Sequence, residues 1–294
     1  MTRLLVALPG NEGFAERLAE ETGCAIAPVS WHRFPDGETN LRFQADLAGA
    51  SIALVATLDR PDGKFLPLAF CAATARDLGA SRVGLVAPYL SYMRQDRRFH
   101  DGEAVTARYF PTLLGSAVDW LVTADPHLHR IHDLGTIYSI PTHVVHCAAP
   151  MGAWIRDKVS VPLIVGPDSE SAQWAGAIAE AAGAPHVVLS KTRHGDLDVD
   201  IAFPDMSAHA GRVPVLVDDI ISSGQSMVRA IKGLRAAGFA EPWCIGVHGI
   251  FADGAEDAIR KAGAAGIVSC NTVRHGSNAI DVSGLFAGPV AAMM

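Results

Sequence analysis

Short runs of Val, Leu and Ile recur along the whole chain, each followed by a stretch of helical periodicity. Residues 4–8, 52–57, 83–87, 121–123, 163–165, 186–190, 213–217, 244–249 and 266–270 read as strands, most of them too apolar to have a solvent face. Residues 14–22, 67–78, 106–114, 171–182, 226–237 and 254–262 between them read as helices. Parallel strand neighbours need a crossover connection, and crossover helices cover both faces of the sheet. The pattern therefore predicts an α/β chain built on mainly parallel sheets flanked by helices. Ligands of such sheets lie beyond the carboxyl ends of the strands. The residues just after each apolar run are the place to look for chemistry.

A length of 294 residues suits two α/β domains. The segment Cys147-Ala148-Ala149-Pro150-Met151-Gly152 is the expected seam, giving domains over 1–147 and 148–294. Residues 120–125 and 214–219 both end an apolar run in an acid, an echo that predicts two similar domains. With 24 Lys+Arg against 31 Asp+Glu the net charge is −7, without the basic footprint of a nucleic-acid binder. Phosphates, if bound, must meet a few placed cations. No window approaches 18 uninterrupted apolar residues, which argues against a membrane span. The opening apolar run is too short for a signal peptide. Cys24, Cys71, Cys147, Cys244 and Cys270 stand far apart in sequence, and the expectation is reduced thiols in a cytoplasmic protein.

The most informative stretch is Val213-Pro214-Val215-Leu216-Val217-Asp218-Asp219-Ile220-Ile221-Ser222-Ser223-Gly224-Gln225-Ser226-Met227. An apolar strand ends in two carboxylates, and small polar residues then lead into a helix. Backbone N–H groups and hydroxyls at such a helix start favour a phosphate, and the neighbouring acids accept hydrogen bonds from sugar hydroxyls. Solvated acids before a Ser-capped helix are the plain structural alternative. Lys191 and Arg193 stand one residue apart on an extended segment, which puts both on one face if it is a strand. His127, His129 and His132 do not have the spacing of a structural zinc site. Asp168 follows the run 163–165, where a place in a helix cap accounts for it. No Walker-type GxxxxGK[ST] sequence is present.

The 213–227 stretch resembles the phosphoribosyl-pyrophosphate loop of the phosphoribosyltransferase fold. Four further segments resemble the ribose-phosphate pyrophosphokinase family: Arg33-Phe34-Pro35-Asp36-Gly37-Glu38, residues 88–98 with Arg94-Gln95-Asp96-Arg97, Ser190-Lys191-Thr192-Arg193, and Asn271-Thr272-Val273-Arg274-His275. The resemblance runs in order from near residue 10 to near 285. It implies two phosphoribosyltransferase-like domains and transfer of a diphosphoryl group from MgATP to ribose 5-phosphate. By the same resemblance, Phe34, Asp36, Gly37, Glu38, Arg94 and Gln95 bind ATP, while Asp96 and Arg97 shape the loop. Lys191 and Arg193 are the catalytic cations. Arg193, Asp218, Asp219, Ser222, Ser223, Gly224, Gln225 and Ser226 hold ribose 5-phosphate. His127 and Asp168 are the residues of a Mg²⁺ site, and a homo-oligomer places the 34–38 segment in a neighbouring subunit's ATP site. A phosphoribosyltransferase sharing only the sugar-phosphate loop is the rival, and the ATP segments count against it. A non-catalytic partner subunit is the second rival, against which Lys191, Arg193, His127 and Asp168 are all present. Ser222, Gln225 and Ser226 depart from the family's common Asp, Gly and Thr at those places.

Overall fold

The computed structural model describes residues 2–193, 199–202 and 204–294. They divide into two units, Met1–Val145 with Ser283–Met294, and His146–Val282.

The first unit opens with β1 (Arg3–Ala7), α1 (Glu12–Thr22) and β2 (Ala25–Ile26), followed by the hairpin strands β3 (Val29–Arg33) and β4 (Thr39–Phe43). It continues with β5 (Ser51–Val55), α2 (Asp62–Asp77), β6 (Arg82–Ala87), α3 (Thr106–Ala117), β7 (Leu121–Ala124) and β8 (Thr142–Val145). The sheet runs β2-β1-β5-β6-β7-β8 and is parallel throughout, with β3 and β4 a separate antiparallel pair. Helix α2 starts well before Pro67, where the sequence predicts its beginning. Pro61 occupies the cap and Pro67 lies inside, forfeiting one ladder hydrogen bond.

The second unit comprises α4 (Ala148–Lys158), β9 (Pro162–Gly166), α5 (Ala172–Ala182), β10 (His186–Val188), the hairpin strands β11 (Ser190–Arg193) and β12 (Val199–Ala202), β13 (Val213–Ile221), α6 (Gln225–Ala236), β14 (Trp243–Gly249), α7 (Ala255–Ala262), β15 (Gly266–Cys270) and β16 (Asn278–Ile280). Its parallel sheet runs β10-β9-β13-β14-β15-β16. Each unit thus has the strand order 2-1-3-4-5-6, with an antiparallel hairpin inserted between its second and third strands. The repeat is real, but it does not pair the segments that the sequence echo matched. Residues 120–125 end the fifth strand of one sheet, whereas 214–219 lie on the third strand of the other. The counterpart of β13 is β5, which carries no acid at its end.

The boundary at 145/146 nearly meets the expected seam, but residues 283–294 pack with the first unit, where the sequence reading carried the second unit to 294. The cause is α8 (Ser283–Met293), whose buried Phe286 meets the Phe14 ring of α1 edge-on at 5.3 Å. A parallel sheet must be covered on both faces, and this returning helix packs beside α1. Among the described residues no helix is long and apolar enough to cross a membrane. The five cysteines are free thiols, and burial pushes those of Cys71 and Cys244 up to about 12.

Close packing around Trp120 fixes one position sharply. The indole is fully buried and lies where a methyl group on Gly84 of β6 would have to sit. Gly84→Ala is expected to lower stability by about 1–3 kcal/mol, read as a lower urea midpoint with an unchanged slope.

Candidate active site

In an open parallel sheet the chain leaves the first and third strands in opposite directions, and a crevice opens between their carboxyl ends. In the second unit those strands are β9 and β13, paired with Leu216 opposite Val165. Beyond β9, the turn carrying Asp168 is fixed by Ser171, whose hydroxyl donates to the Asp168 carbonyl at 2.6 Å. The Asp168 carboxylate accepts the Ser171 N–H at 3.3 Å in return.

Strand β13 does not stop at its two acids, as the sequence reading has it, but continues to Ile221. Asp218 stands opposite Gly246 and Ile220 opposite His248. Asp219 is buried, and its carboxylate accepts the Ile220 N–H at 2.7 Å. Desolvation, then the carboxylates of Asp219 and Asp168, hold the Asp218 carboxyl well above the usual carboxylate range. The two acids of β13 and Asp168 therefore share one crevice.

Ser222, Ser223 and Gly224 lead from β13 into α6, with Gln225 and Ser226 in its first turn. The helix has no side-chain cap, because its cap residue is Gly224 rather than a serine. Its first N–H groups thus face the loop as an anion site. Gly224 is required twice over: its φ is +71°, and a methyl there would come 2.9 Å from Ile259 Cδ1 of α7. The Gln225 side chain is exposed.

What the sequence did not disclose is the strap behind this loop. The N–H groups of Ile250 and Phe251 donate to the Ile221 carbonyl, and that of Ala252 to the Ser222 carbonyl, all at 3.0–3.1 Å. Phe251 has φ +38°, in the left-handed region that a bulky residue rarely adopts. Its ring stacks on His275 at 4.3 Å. Buried Thr272 donates to the Val247 carbonyl at 2.7 Å and accepts from His248 Nδ1 at 2.9 Å. The Asn-Thr-x-x-His segment thus buttresses the strap. A φ above zero at a phenylalanine has no sequence signature, so only the run 271–275 could have pointed here.

Lys191 and Arg193 lie on β11, opposite Ile201 and Val199 of β12. The extended backbone matches the sequence expectation, but the side chains of both residues lie outside the described part of the structure.

Within the first unit, Phe34, Asp36, Gly37 and Glu38 form the tip of the β3–β4 hairpin. The Phe34 N–H donates to the Glu38 carbonyl and the Gly37 N–H to the Phe34 carbonyl, while the Asp36 carboxylate accepts the Glu38 N–H. Phe34 is 43% exposed, held edge-on against His32 at 4.7 Å. Arg94 is exposed beyond β6. Gln95 beside it donates to the Glu103 carboxylate, which also accepts the N–H groups of Phe99 and His100. Buried Asp96 pairs with Arg130 at 2.9 Å, tying this loop to the one after β7 that carries His127. Asp125, at the start of that second loop, has φ +27°. The fold therefore gathers Arg94, Gln95 and His127 at one sheet end. Asp168 belongs to the other unit. Among the described residues no group of three or more His, Cys, Asp or Glu is set to hold a metal ion.

The Asp218 environment has a measurable consequence. A carboxyl whose folded-state pKa is raised takes up a proton on folding, so its contribution to stability falls as pH rises from the ordinary carboxylate value through the raised one. Asp218→Asn removes that loss. In buffer free of divalent cations, the variant is expected to melt higher than the parent, by a margin that widens as pH rises above the ordinary carboxylate range.

The N-terminal domain family of ribose phosphate pyrophosphokinase matches residues 4–117, and the phosphoribosyl transferase domain family matches residues 133–283. A ribose-phosphate pyrophosphokinase of Methanobrevibacter smithii is 30% identical over 292 residues, covering 95% of this chain and 97% of its own. One from Thermococcus kodakarensis is 31% identical over 255 residues, covering 86% of this chain and 88% of its own. The crystal structure of a phosphoribosylpyrophosphate synthetase from Mycobacterium smegmatis shares the fold with a TM-score of 0.86 at 22% identity, over 100% of this chain and 99% of that one. With two domain families matched in order and relatives alike over nearly their full lengths, the chain belongs to the ribose-phosphate pyrophosphokinase family.

Proposed function

We propose that the chain transfers the β,γ-diphosphoryl group of MgATP to the C1 hydroxyl of ribose 5-phosphate, giving phosphoribosyl pyrophosphate and AMP for nucleotide biosynthesis. The observation that carries this reading is the pairing, at one switch point, of two strand-borne carboxylates with an uncapped helix start. The N–H groups and hydroxyls of residues 222–226 take the 5-phosphate, and Asp218 with Asp219 accepts hydrogen bonds from the ribose hydroxyls.

The C1 oxygen attacks the β-phosphorus in line. An O–P bond forms there as the bond from the α,β-bridging oxygen to that phosphorus breaks, AMP leaves with the oxygen, and the C1 hydroxyl proton is released to water. Lys191 and Arg193 neutralise charge gathering on the transferred group, and Arg193 also reaches the sugar phosphate. Arg94 and Gln95 orient ATP, the latter held in place by Glu103. Phe34, Asp36, Gly37 and Glu38 reach adenine from a second copy of the chain, a role suited to an aromatic ring 43% exposed on a hairpin tip. The assembly is a homo-oligomer, without nucleic acid or membrane, in the cytoplasm.

Mg²⁺ bound between one or two carboxylates and substrate phosphates needs no all-protein cage. The half-buried carboxylate of Asp168 is an oxygen donor of the kind such a cation takes. His127 and Asp168 would hold it, and when bound it would shield the phosphates and polarise them toward attack.

The test is AMP release from MgATP with and without ribose 5-phosphate, with the product assigned by ³¹P NMR. Sugar-dependent AMP with a diphosphate on C1 is the expected result. AMP formation independent of the sugar, or none despite sugar-phosphate binding, would sink the reading. Lys191→Ala is expected to lower turnover about 10²–10³-fold while leaving ribose 5-phosphate affinity little changed. Equal losses in both would contradict its role.

A further inference from the structure

Because both units share one strand order, the first unit has a switch point of its own, between β1 and β5. A cleft of about 320 Å³ opens there, lined by residues that follow both strands together with residues of the hairpin and of α2. Asn11, nearly buried, builds it by joining the two strand ends. Its side-chain oxygen accepts the Thr57 N–H at 2.7 Å, and its amide donates to the carbonyls of Leu8 and Pro9.

The chemistry of this cleft is inverted relative to its counterpart. Pro9 follows β1 as Pro167 follows β9. Continuing the two registers from Ala7 opposite Val55 and Leu216 opposite Val165 sets Thr57 where Asp218 stands and Leu58 where Asp219 stands. Gly10 takes the place of Asp168. The carboxylates that suit a divalent cation and sugar hydroxyls are therefore replaced by neutral groups, and cations enter instead. Lys64 donates to the Thr57 carbonyl at 3.0 Å and pairs with Asp59, leaving one of its three N–H donors for a ligand. Arg33 stands exposed on the opposite, hairpin side. Half-buried Trp31 with Leu8 and Pro67 supplies an apolar wall. A small cleft with an aromatic wall at one side and two cations at its rim suits a flat ring bearing an anionic group.

From this inverted copy of the sugar-phosphate crevice we infer that the first unit carries a second ligand site, which takes a mononucleotide with its base against Trp31 and its phosphate between Lys64 and Arg33. The reaction proposed for the other unit is not needed for this site.

The probe is AMP, titrated into full-length protein labelled with 5-fluorotryptophan, with the Trp31 resonance assigned by Trp31→Phe. The Trp31 signal is expected to shift saturably. The shift should survive Phe34→Ala, which removes the hairpin tip's own proposed adenine contact. Lys64→Gln should weaken it by roughly tenfold or more, the size of one hydrogen bond to a charged group, while Lys64→Arg retains it. Should Lys64→Gln fail to fold, as judged by its melting curve, Arg33→Gln on the exposed hairpin is read in its place. A Trp31 signal unmoved by millimolar AMP overturns the inference, as does a shift lost in Phe34→Ala or indifferent to the cation variants. Inorganic phosphate that reproduces the full shift overturns the assignment of a base to the Trp31 wall.

Discussion

A parallel sheet cannot end its strands innocuously. Every strand delivers its carboxyl end to the same edge, and where the chain turns outward in opposite directions from two neighbours, nothing fills the gap between them. In the second unit two acids, Asp168 and a helix start are arranged around that one gap. The acids ride on β13, Asp168 is held beside them by Ser171, and α6 begins just beyond. Because the sheet fixes β9 against β13 in register, the carboxylates are brought together before any substrate arrives, and mutual repulsion is the result. That repulsion is a folding liability, relieved wherever an opposite charge or a hydrogen-bond donor meets the carboxylates.

The same principle explains why the support around the site is more elaborate than the site itself. A loop of serines and a glycine has no packing of its own. It is held from beneath by Ile259 and from behind by the strap of residues 250–252, whose strained Phe251 is pinned by the stack on His275. In the first unit the pair between buried Asp96 and exposed Arg130 does a comparable task, joining two loops. Breaking such a pair would leave a charge stranded near the protein interior, so the link is firm.

Much of this was legible in the residues alone. Apolar runs located most of the strands, and the acids and small residues after 217 located the turn into α6, because burial and local turn chemistry leave direct traces in sequence. Partnership between distant segments leaves none. The repeat was visible, but residues 120–125 were matched to the wrong strand, since an acid at a strand end marks a carboxyl edge without saying which strand it is. The β3–β4 hairpin escaped as well: its exposed strands alternate too weakly to be read, and residues 34–38 stood out by family resemblance, not as a turn. The place of α8 was likewise hidden, because a helix apolar nearly all round does not say which surface it covers.

That returning helix bears on how the chain is made. The second unit is spliced into the first: synthesis completes all of residues 146–282 before Ser283–Met293 exists. Phe14 therefore stays uncovered from the start of synthesis until Phe286 has been made, with the whole of the second unit between them. The half of the molecule that starts first is finished last.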